Sequence, residues 1–392
     1  MAGSVILSGA RTPIGKLSGA LGGFAATDLG GFAIKAALER AGIAPDQVDY
    51  VFMGQVLQAG TGQITARQAG VNAGIPMTVP ATTVNKVCLS GLNTIFLADL
   101  LIQAGLAEIV VAGGMESMTQ APYLLPGARE GYRMGDKSVV DSMMYDGLFC
   151  AFDQVAMGAG TERYAASAGL ARAPQDELAA KSHERAAAAI KEGRLADEIV
   201  AVEVPQRRGD PIVVDTDEGV RPGTTAESLG ALRPAFDKAG NITAGNASQI
   251  SDGGAAVVVT SKAVAERLGA TPLGEIVGYG QVAGPDPSLL TQPARAIKAA
   301  AERAGKDVAD IDLFELNEAF AAVGVASMAD LGISDDVVNV NGGAIALGHP
   351  VGMSGTRVAL TLLLELARRG GGLGAAALCG GGGQGDAILL SV

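Results

Sequence analysis

The chain contains no tryptophan, and phenylalanine and tyrosine account for only 4 % of its residues. Its core must therefore be built from Ala, Val, Leu, Ile and Met. Cysteine and histidine are scarce as well, at three and two residues. Three cysteines exclude a disulfide framework and suit a reducing compartment. No Cys/His spacing suggests a metal site. Positive charge is in deficit: the formal net charge is −12. That excludes the basic footprint a nucleic-acid partner needs, while leaving room for a local basic patch that holds a small anionic ligand. Long hydrophobic runs are also missing. The most apolar stretch, Leu92–Ala104, is interrupted by Asn93, Asp99 and Gln103, which predicts a buried helix rather than a membrane span. The N-terminus, Met1 to Pro13, has no basic segment followed by an apolar one. No secretory leader is visible, and a cytoplasmic location is expected.

What is present is apolar bulk and glycine. At 392 residues and 48 % apolar content the chain has material for two domains of ordinary size. Its 56 glycines are spread among periodic segments, which predicts many tight turns and close backbone approaches rather than low complexity.

The two ends of the chain repeat each other. In the first half a turn enters a strand at Asp46–Gly54. A glycine-flanked turn at Val84–Gly91, an apolar helix to Gly105 and a strand Ile109–Gly113 follow. In the second half the same order runs through Ala309–Leu316, Asn341–Pro350, an apolar helix to Arg369 and a strand Ala375–Cys379. Both final strands run into glycines. A repeat this long is a duplicated domain rather than a solenoid, and strands alternating with helices predict α/β layers. Helices apolar on most sides need cover on most sides. The two that follow Cys88 and His349 therefore belong in the centre of an α/β/α/β/α five-layer sandwich. The expected units are 1–118 plus 248–268 for the first half, 119–247 as an inserted loop domain, and 269–392 for the second half. The insertion carries an amphipathic helix near Gln175–Gly193 and a hairpin at Val204–Pro211; insertions of this kind commonly carry binding contacts.

Three residues stand out chemically: Cys88 in Val84-Asn-Lys-Val-Cys-Leu-Ser-Gly91, His349 in Asn341-Gly-Gly-Ala-Ile-Ala-Leu-Gly-His-Pro350, and Cys379 before Gly380–Gly383. A cysteine at a helix N-terminus meets the positive end of the helix dipole and free N–H groups, which predicts a lowered pKa. Taken alone, Cys88 reads equally well as a small buried packing thiol. Pseudo-symmetric halves place the Cys88 and His349 turns on one cleft, which favours function. The glycines after Cys379 can present N–H groups to an oxyanion. Neither a Walker lysine nor a GxGxxG pattern accompanies them. Asn317, at a strand end in Asn317–Ala321, can hold a water or a carbonyl. His183, on a charged helix face, and Cys150, with no partner pattern, read as structural.

With these motifs in place, the chain resembles the thiolase family over essentially its full length, and within it the short-chain biosynthetic type. Val84–Gly91, Asn317–Ala321, Asn341–Pro350 and Cys379–Gly383 carry the resemblance. It implies an acyltransferase that joins two acetyl-CoA into acetoacetyl-CoA and CoA, or runs in reverse, with CoA thioesters as substrates and no cofactor. Cys88 would be the acyl-accepting nucleophile, His349 its activator, and Asn317 the holder of a water at the enolate. Cys379 would be the acid/base, and Gly381 would share an oxyanion hole with Cys88. The resemblance further assigns Arg221 and Ser248 to CoA contacts, and Leu148, Met157 and Phe236 to the pantetheine and acyl pocket. Arg207 and Arg208 are plausible phosphate contacts. It implies a homotetramer built as a dimer of dimers, with Pro122–Asp141 as the tetramerisation loop, and neither membrane nor nucleic-acid partners. One departure is visible. The biosynthetic type often carries His before the methionine of the pocket, whereas here Ala156 precedes Met157. A 3-ketoacyl-CoA thiolase of broader chain length is therefore an alternative. A decarboxylating ketosynthase and a non-catalytic acyl-CoA-binding protein are others, opposed by Cys379 and by the intact trio respectively.

Overall fold

A computed structural model describes residues 3–392; Met1 and Ala2, which open the first expected unit, lie outside the described residues. In the first half the order is β1 (Ser4–Arg11), α1 (Ala26–Ala41), β2 (Tyr50–Gly54), α2 (Thr65–Asn72), β3 (Ala81–Val84), α3 (Ser90–Gln103) and β4 (Ile109–Ser117). The insertion contributes α4 (Met157–Ser167), α5 (Arg172–Lys191) and a hairpin of Val202–Val204 with Ile212–Val214. The chain then returns as β5 (Ser251–Ser261). The second half follows with β6 (Gly274–Ala283), α6 (Gln292–Ala304), β7 (Leu313–Leu316), α7 (Ala321–Leu331), α8 (Ala344–Leu347), α9 (Ser354–Arg368), β8 (Leu373–Gly380) and β9 (Gln384–Ser391).

The duplication is explicit in the strand pairing. In the first half β1 pairs antiparallel with β5, β5 antiparallel with β4, β4 parallel with β2, and β2 parallel with β3. In the second half β6 pairs antiparallel with β9, β9 antiparallel with β8, and β8 parallel with β7. A parallel bridge from Phe314 to Val338 takes the place of β3. A two-pair ladder, Val5 with Glu275 and Ile6 with Gly274, joins the halves edge to edge. The strands, with a short Gly15–Lys16 segment on β5, thus form one ten-stranded sheet.

The five expected layers are present, and side-chain alternation sorts them. Val5, Leu7, Val111 and Val258 pack with Ala33, Ile34 and Ala66 of the outer helices α1 and α2. Their neighbours Ile6, Val110, Val257 and Val259 face the other way, onto Leu92 and Ile95 of α3 and Val358 and Leu362 of α9. Leu378, Ile388 and Leu390 enclose those central helices from the second half. Ala375, Ala377 and Leu389 turn outward onto Ile297 and Ala300 of α6. This is the period of two expected of strands covered on both faces. Among the described residues, no helix is long and apolar enough to cross a membrane.

The central helices meet at their N-terminal ends, and glycines allow it. A Cβ at Gly355 would stand 2.2 Å from Leu92 N, and one at Gly91 would stand 2.9 Å from Thr356 N. Three glycines of the first half also receive the carbonyl of Gly352, in the His349 turn. A Cβ would lie 2.8 Å from that oxygen at Gly54, 2.9 Å at Gly91 and 2.0 Å at Gly114. Gly114→Ala is therefore expected to lower stability by about 1–3 kcal/mol or more, read from the urea midpoint. Gly23→Ala, where nothing lies within 4 Å of the new methyl, should unfold close to wild type; equal midpoints for the two variants would contradict the packing described.

Candidate active site

Cys88 and His349 occupy the turns that feed α3 and α9. The Cys88 turn is bound tightly by its own polar groups. Lys86 N–H donates to Ser90 Oγ at 2.8 Å, Ser90 Oγ donates to Val87 O at 2.6 Å, and Val87 N–H donates to Asn85 Oδ1 at 3.1 Å. Val87 itself has φ +51°, a left-handed conformation that costs a β-branched residue on the order of 1–3 kcal/mol and concentrates at functional sites. The Lys86 ammonium reaches Asp386 of β9 at 2.7 and 2.8 Å, and Tyr279 OH donates to the same carboxylate at 2.6 Å. This pair ties the Cys88 turn to the strand that follows Cys379 and its glycines.

The His349 turn requires glycine at 348, where φ is +113° and a Cβ would meet Ser251 Oγ at 2.3 Å. The imidazole is buried and held at both nitrogens. Nδ1 lies 2.6 Å from Ser354 Oγ, and that hydroxyl donates to Pro350 O at 3.0 Å. The proton on Nδ1 is thereby placed toward Ser354, which leaves Nε2 with its lone pair. Asn317 Nδ2 donates to Nε2 at 3.3 Å. Asn317 is fully buried, and its Oδ1 has no partner among the described residues; a buried acceptor in this state suits a bound water.

Cys88, His349, Cys379 and Gly381 line one cavity of about 60 Å³, with Leu148, Met157 and Ser248 in its wall. It adjoins a cavity of about 390 Å³ that shares Leu148, Met157, Ser248 and His349 and adds Phe236, Ala156, Met118 and Met144. Nine of the twelve candidate site residues named from the sequence thus fall on these two cavities or, for Asn317, against His349. Arg221 falls on neither; it is exposed, and its backbone N–H donates to His183 Nδ1 at 3.1 Å. Arg207 and Arg208 stand exposed in the loop of the insertion hairpin. Among the described residues no cluster of three or more His, Cys, Asp and Glu side chains forms a metal site.

The thiolase family models match this architecture, the N-terminal domain over residues 4–263 and the C-terminal domain over residues 270–392. The chain belongs to the thiolase family. It is 59 % identical over 386 residues to a probable acetyl-CoA acetyltransferase of Mycolicibacterium smegmatis, covering 98 % of this chain and all of the relative. To the probable acetyl-CoA acetyltransferase of Mycobacterium tuberculosis it is 57 % identical, over the whole chain and 99 % of the relative. To the acetyl-CoA acetyltransferase of Cupriavidus necator it is 52 % identical, over 98 % of each.

The electrostatics of this thiolase correct one expectation. The helix N-terminus was expected to lower the pKa of Cys88. Instead burial pushes the thiol up to about 11, against the pull of the N–H groups of Cys88 and Gly381. Burial also holds His349 down near 3, with the charge of Arg357 adding to the effect. Burial and the neighbouring Cys88 push Cys379 well above the ordinary thiol range. The resting trio is uncharged. His183, read as structural on a charged helix face, is buried.

Ser354, Glu116 and the Lys86–Asp386 pair were not singled out from the sequence. Ser354 was visible only as the start of an apolar helix. Glu116 had a signal: a carboxylate inside an apolar strand, where burial demands partners. Lys86 and Asp386 are 300 residues apart, and nothing local connects them.

A neutral resting pair makes a prediction about reactivity. The thiolate is the reactive form, and with a pKa near 11 only about one part in 10⁴ is ionised at pH 7. Alkylation of Cys88 by iodoacetamide is expected to accelerate about tenfold per pH unit from pH 7 to 10, with no inflection near 6.5. A plateau above pH 7 would reveal a preformed thiolate–imidazolium pair.

Proposed function

We propose that this thiolase is an acetyl-CoA C-acetyltransferase, condensing two acetyl-CoA into acetoacetyl-CoA and CoA and catalysing the reverse thiolysis. The observation that carries the reading is the convergence of Cys88, His349, Cys379 and Gly381 on one small cavity. The names of the full-length relatives support the substrate.

Cys88 Sγ attacks the acetyl carbonyl of the first substrate while its proton passes to the unprotonated Nε2 of His349. The tetrahedral oxyanion is met by the N–H groups of Cys88 and Gly381. As the C–S bond to CoA breaks, the Cys379 thiol protonates the leaving sulfur. The site then holds acetyl-Cys88, His349 as imidazolium and Cys379 as thiolate. The Cys379 thiolate removes the α-proton of the second acetyl-CoA. The enolate oxygen is stabilised by His349 and by a water at Asn317, and the enolate carbon attacks acetyl-Cys88. Cys88 leaves and recovers its proton from His349, which restores the resting state. Leu148, Met157, Phe236 and Ser248 accommodate the pantetheine and acyl groups. Arg221, with Arg207 and Arg208, serves the nucleotide end. The reaction needs no cofactor.

We read the units as 1–118 plus 248–268, 119–247 and 269–392, and the assembly as a homotetramer of two dimers. The run of exposed apolar side chains Tyr123, Leu125, Tyr132, Met134 and Val139 supports the 122–141 segment as a contact between copies. Three unpaired cysteines fit a cytoplasmic enzyme.

Three experiments test the reading. Thiolysis of 3-ketoacyl-CoAs from four carbons upward is expected to peak at acetoacetyl-CoA. A rate that climbs with chain length would transfer the protein to the broader 3-ketoacyl-CoA type, with Ala156 as the side chain that makes room. Cys88→Ala should form no acetyl-enzyme by mass spectrometry. Cys379→Ala should fall by about 10²–10⁴ in turnover, and full turnover by either variant defeats the mechanism.

A further inference from the structure

Glu116 lies in β4 with none of its surface exposed, and no step of the reaction uses it. Its carboxylate nevertheless accepts three backbone N–H groups: Val56 at 3.0 Å and Gly352 at 3.0 Å on Oε2, and Leu57 at 3.1 Å on Oε1. These come from opposite halves of the chain. Gly352 lies between His349 and Ser354, the hydroxyl that orients the imidazole. Val56 leads to the other partner, because its carbonyl accepts from Asn85 Nδ2 at 3.3 Å, and Asn85 holds the Val87 N–H in the Cys88 turn. Val56, Leu57 and Val351 also form the apolar cluster against which Cys88 packs.

We propose that Glu116 is a positioning residue for the catalytic pair, one buried carboxylate that ties the His349 turn and the Cys88 turn to a common point. The role rests on the acyl-enzyme chemistry proposed above. The residue type follows from the donors it meets. Three N–H groups need acceptors only, spread over two oxygens. Glutamine would present an NH₂ to at least one of them and leave a buried donor unpaired. Aspartate, one methylene shorter, cannot span Val56, Leu57 and Gly352 together.

The test compares purified wild type, Glu116→Gln and Glu116→Asp in acetoacetyl-CoA thiolysis, with melting temperature and alkylation of Cys88 followed in parallel. Displacement of a reacting group by about 1 Å costs on the order of 10²-fold. The expected result for Glu116→Gln is a kcat lower by about 10–100-fold with KM for acetoacetyl-CoA unchanged, and Glu116→Asp in between. Cys88 alkylation should stay equal or, above pH 7, become faster, because burial pushes the Glu116 carboxyl up to about 7 and the variant removes the charge that above this pH disfavours the thiolate. Wild-type kcat in Glu116→Gln, or a loss confined to KM, overturns the assignment. If Glu116→Gln does not fold, Asn85→Asp decides. That exposed residue keeps an oxygen facing Val87 N–H, while its second oxygen replaces the donor to Val56 O with a repelling negative charge. A kcat lowered by about tenfold at wild-type melting temperature supports the tie, and unchanged kcat overturns it. A wild-type protein without thiolysis defeats the acyl-enzyme reading first, and this role with it.

Discussion

The seating of one residue, Gly352, held through the two peptide groups that flank it, sets the geometry on which the rest of the site depends. Its carbonyl lies in a bed formed by Gly54, Gly91 and Gly114 of the first half, and its N–H is held by Glu116 of the same half. No side chain larger than hydrogen fits at Gly114 without moving it. The second half therefore approaches the first at van der Waals distance along the one turn that carries His349. The consequences spread outward. The N-termini of α3 and α9 meet, the two turns that precede them face a single cavity, and the apolar flanks of both helices are buried between the sheet halves.

That burial has an electrostatic result. A thiol at a helix N-terminus is ordinarily acidified by the dipole and the free N–H groups. Here the same layers that enclose α3 and α9 also bury His349 and Cys379 and leave Cys88 half-buried, and desolvation disfavours every charged form. Burial dominates the shift in each case. The site is thus neutral until a thioester arrives. In the proposed reaction charge appears only as it develops, beside the N–H groups of Cys88 and Gly381 and the imidazole. Such preorganised donors act on the transition state without first having to reorganise.

Much of this was legible in the sequence. The repeat at Asp46–Gly113 and Ala309–Cys379 announced the duplication, because hydrophobic periodicity and glycine positions are local signals. The cores of the Cys88 and His349 turns were legible for the same reason, being contiguous motifs. What was not legible is what operates between segments. The Lys86–Asp386 pair joins turn to strand across nearly the whole chain. Glu116 reads as an oddity in an apolar strand until Gly352 is brought to it. The pKa of Cys88 was misjudged because the helix terminus is visible in sequence, whereas the depth at which the layers bury it is not.

Duplication also explains why the two halves do unlike work with like parts. The serines that open α3 and α9 are equivalents in the repeat. Ser90 turns its hydroxyl back onto Val87 O and stiffens a strained turn. Ser354 also returns a hydrogen bond to its own turn, at Pro350 O, yet its oxygen faces the imidazole. The strands β4 and β8 diverge in the same way. β8 carries Cys379, the proton carrier of the proposed reaction. β4 carries Gly114 and Glu116, which move nothing and hold the opposite turn. A symmetric pair of half-sites would set two nucleophiles or two bases face to face. In the proposed reaction the first half contributes Cys88 and the second His349 and Cys379, and the single cavity between them holds a set that neither half supplies alone.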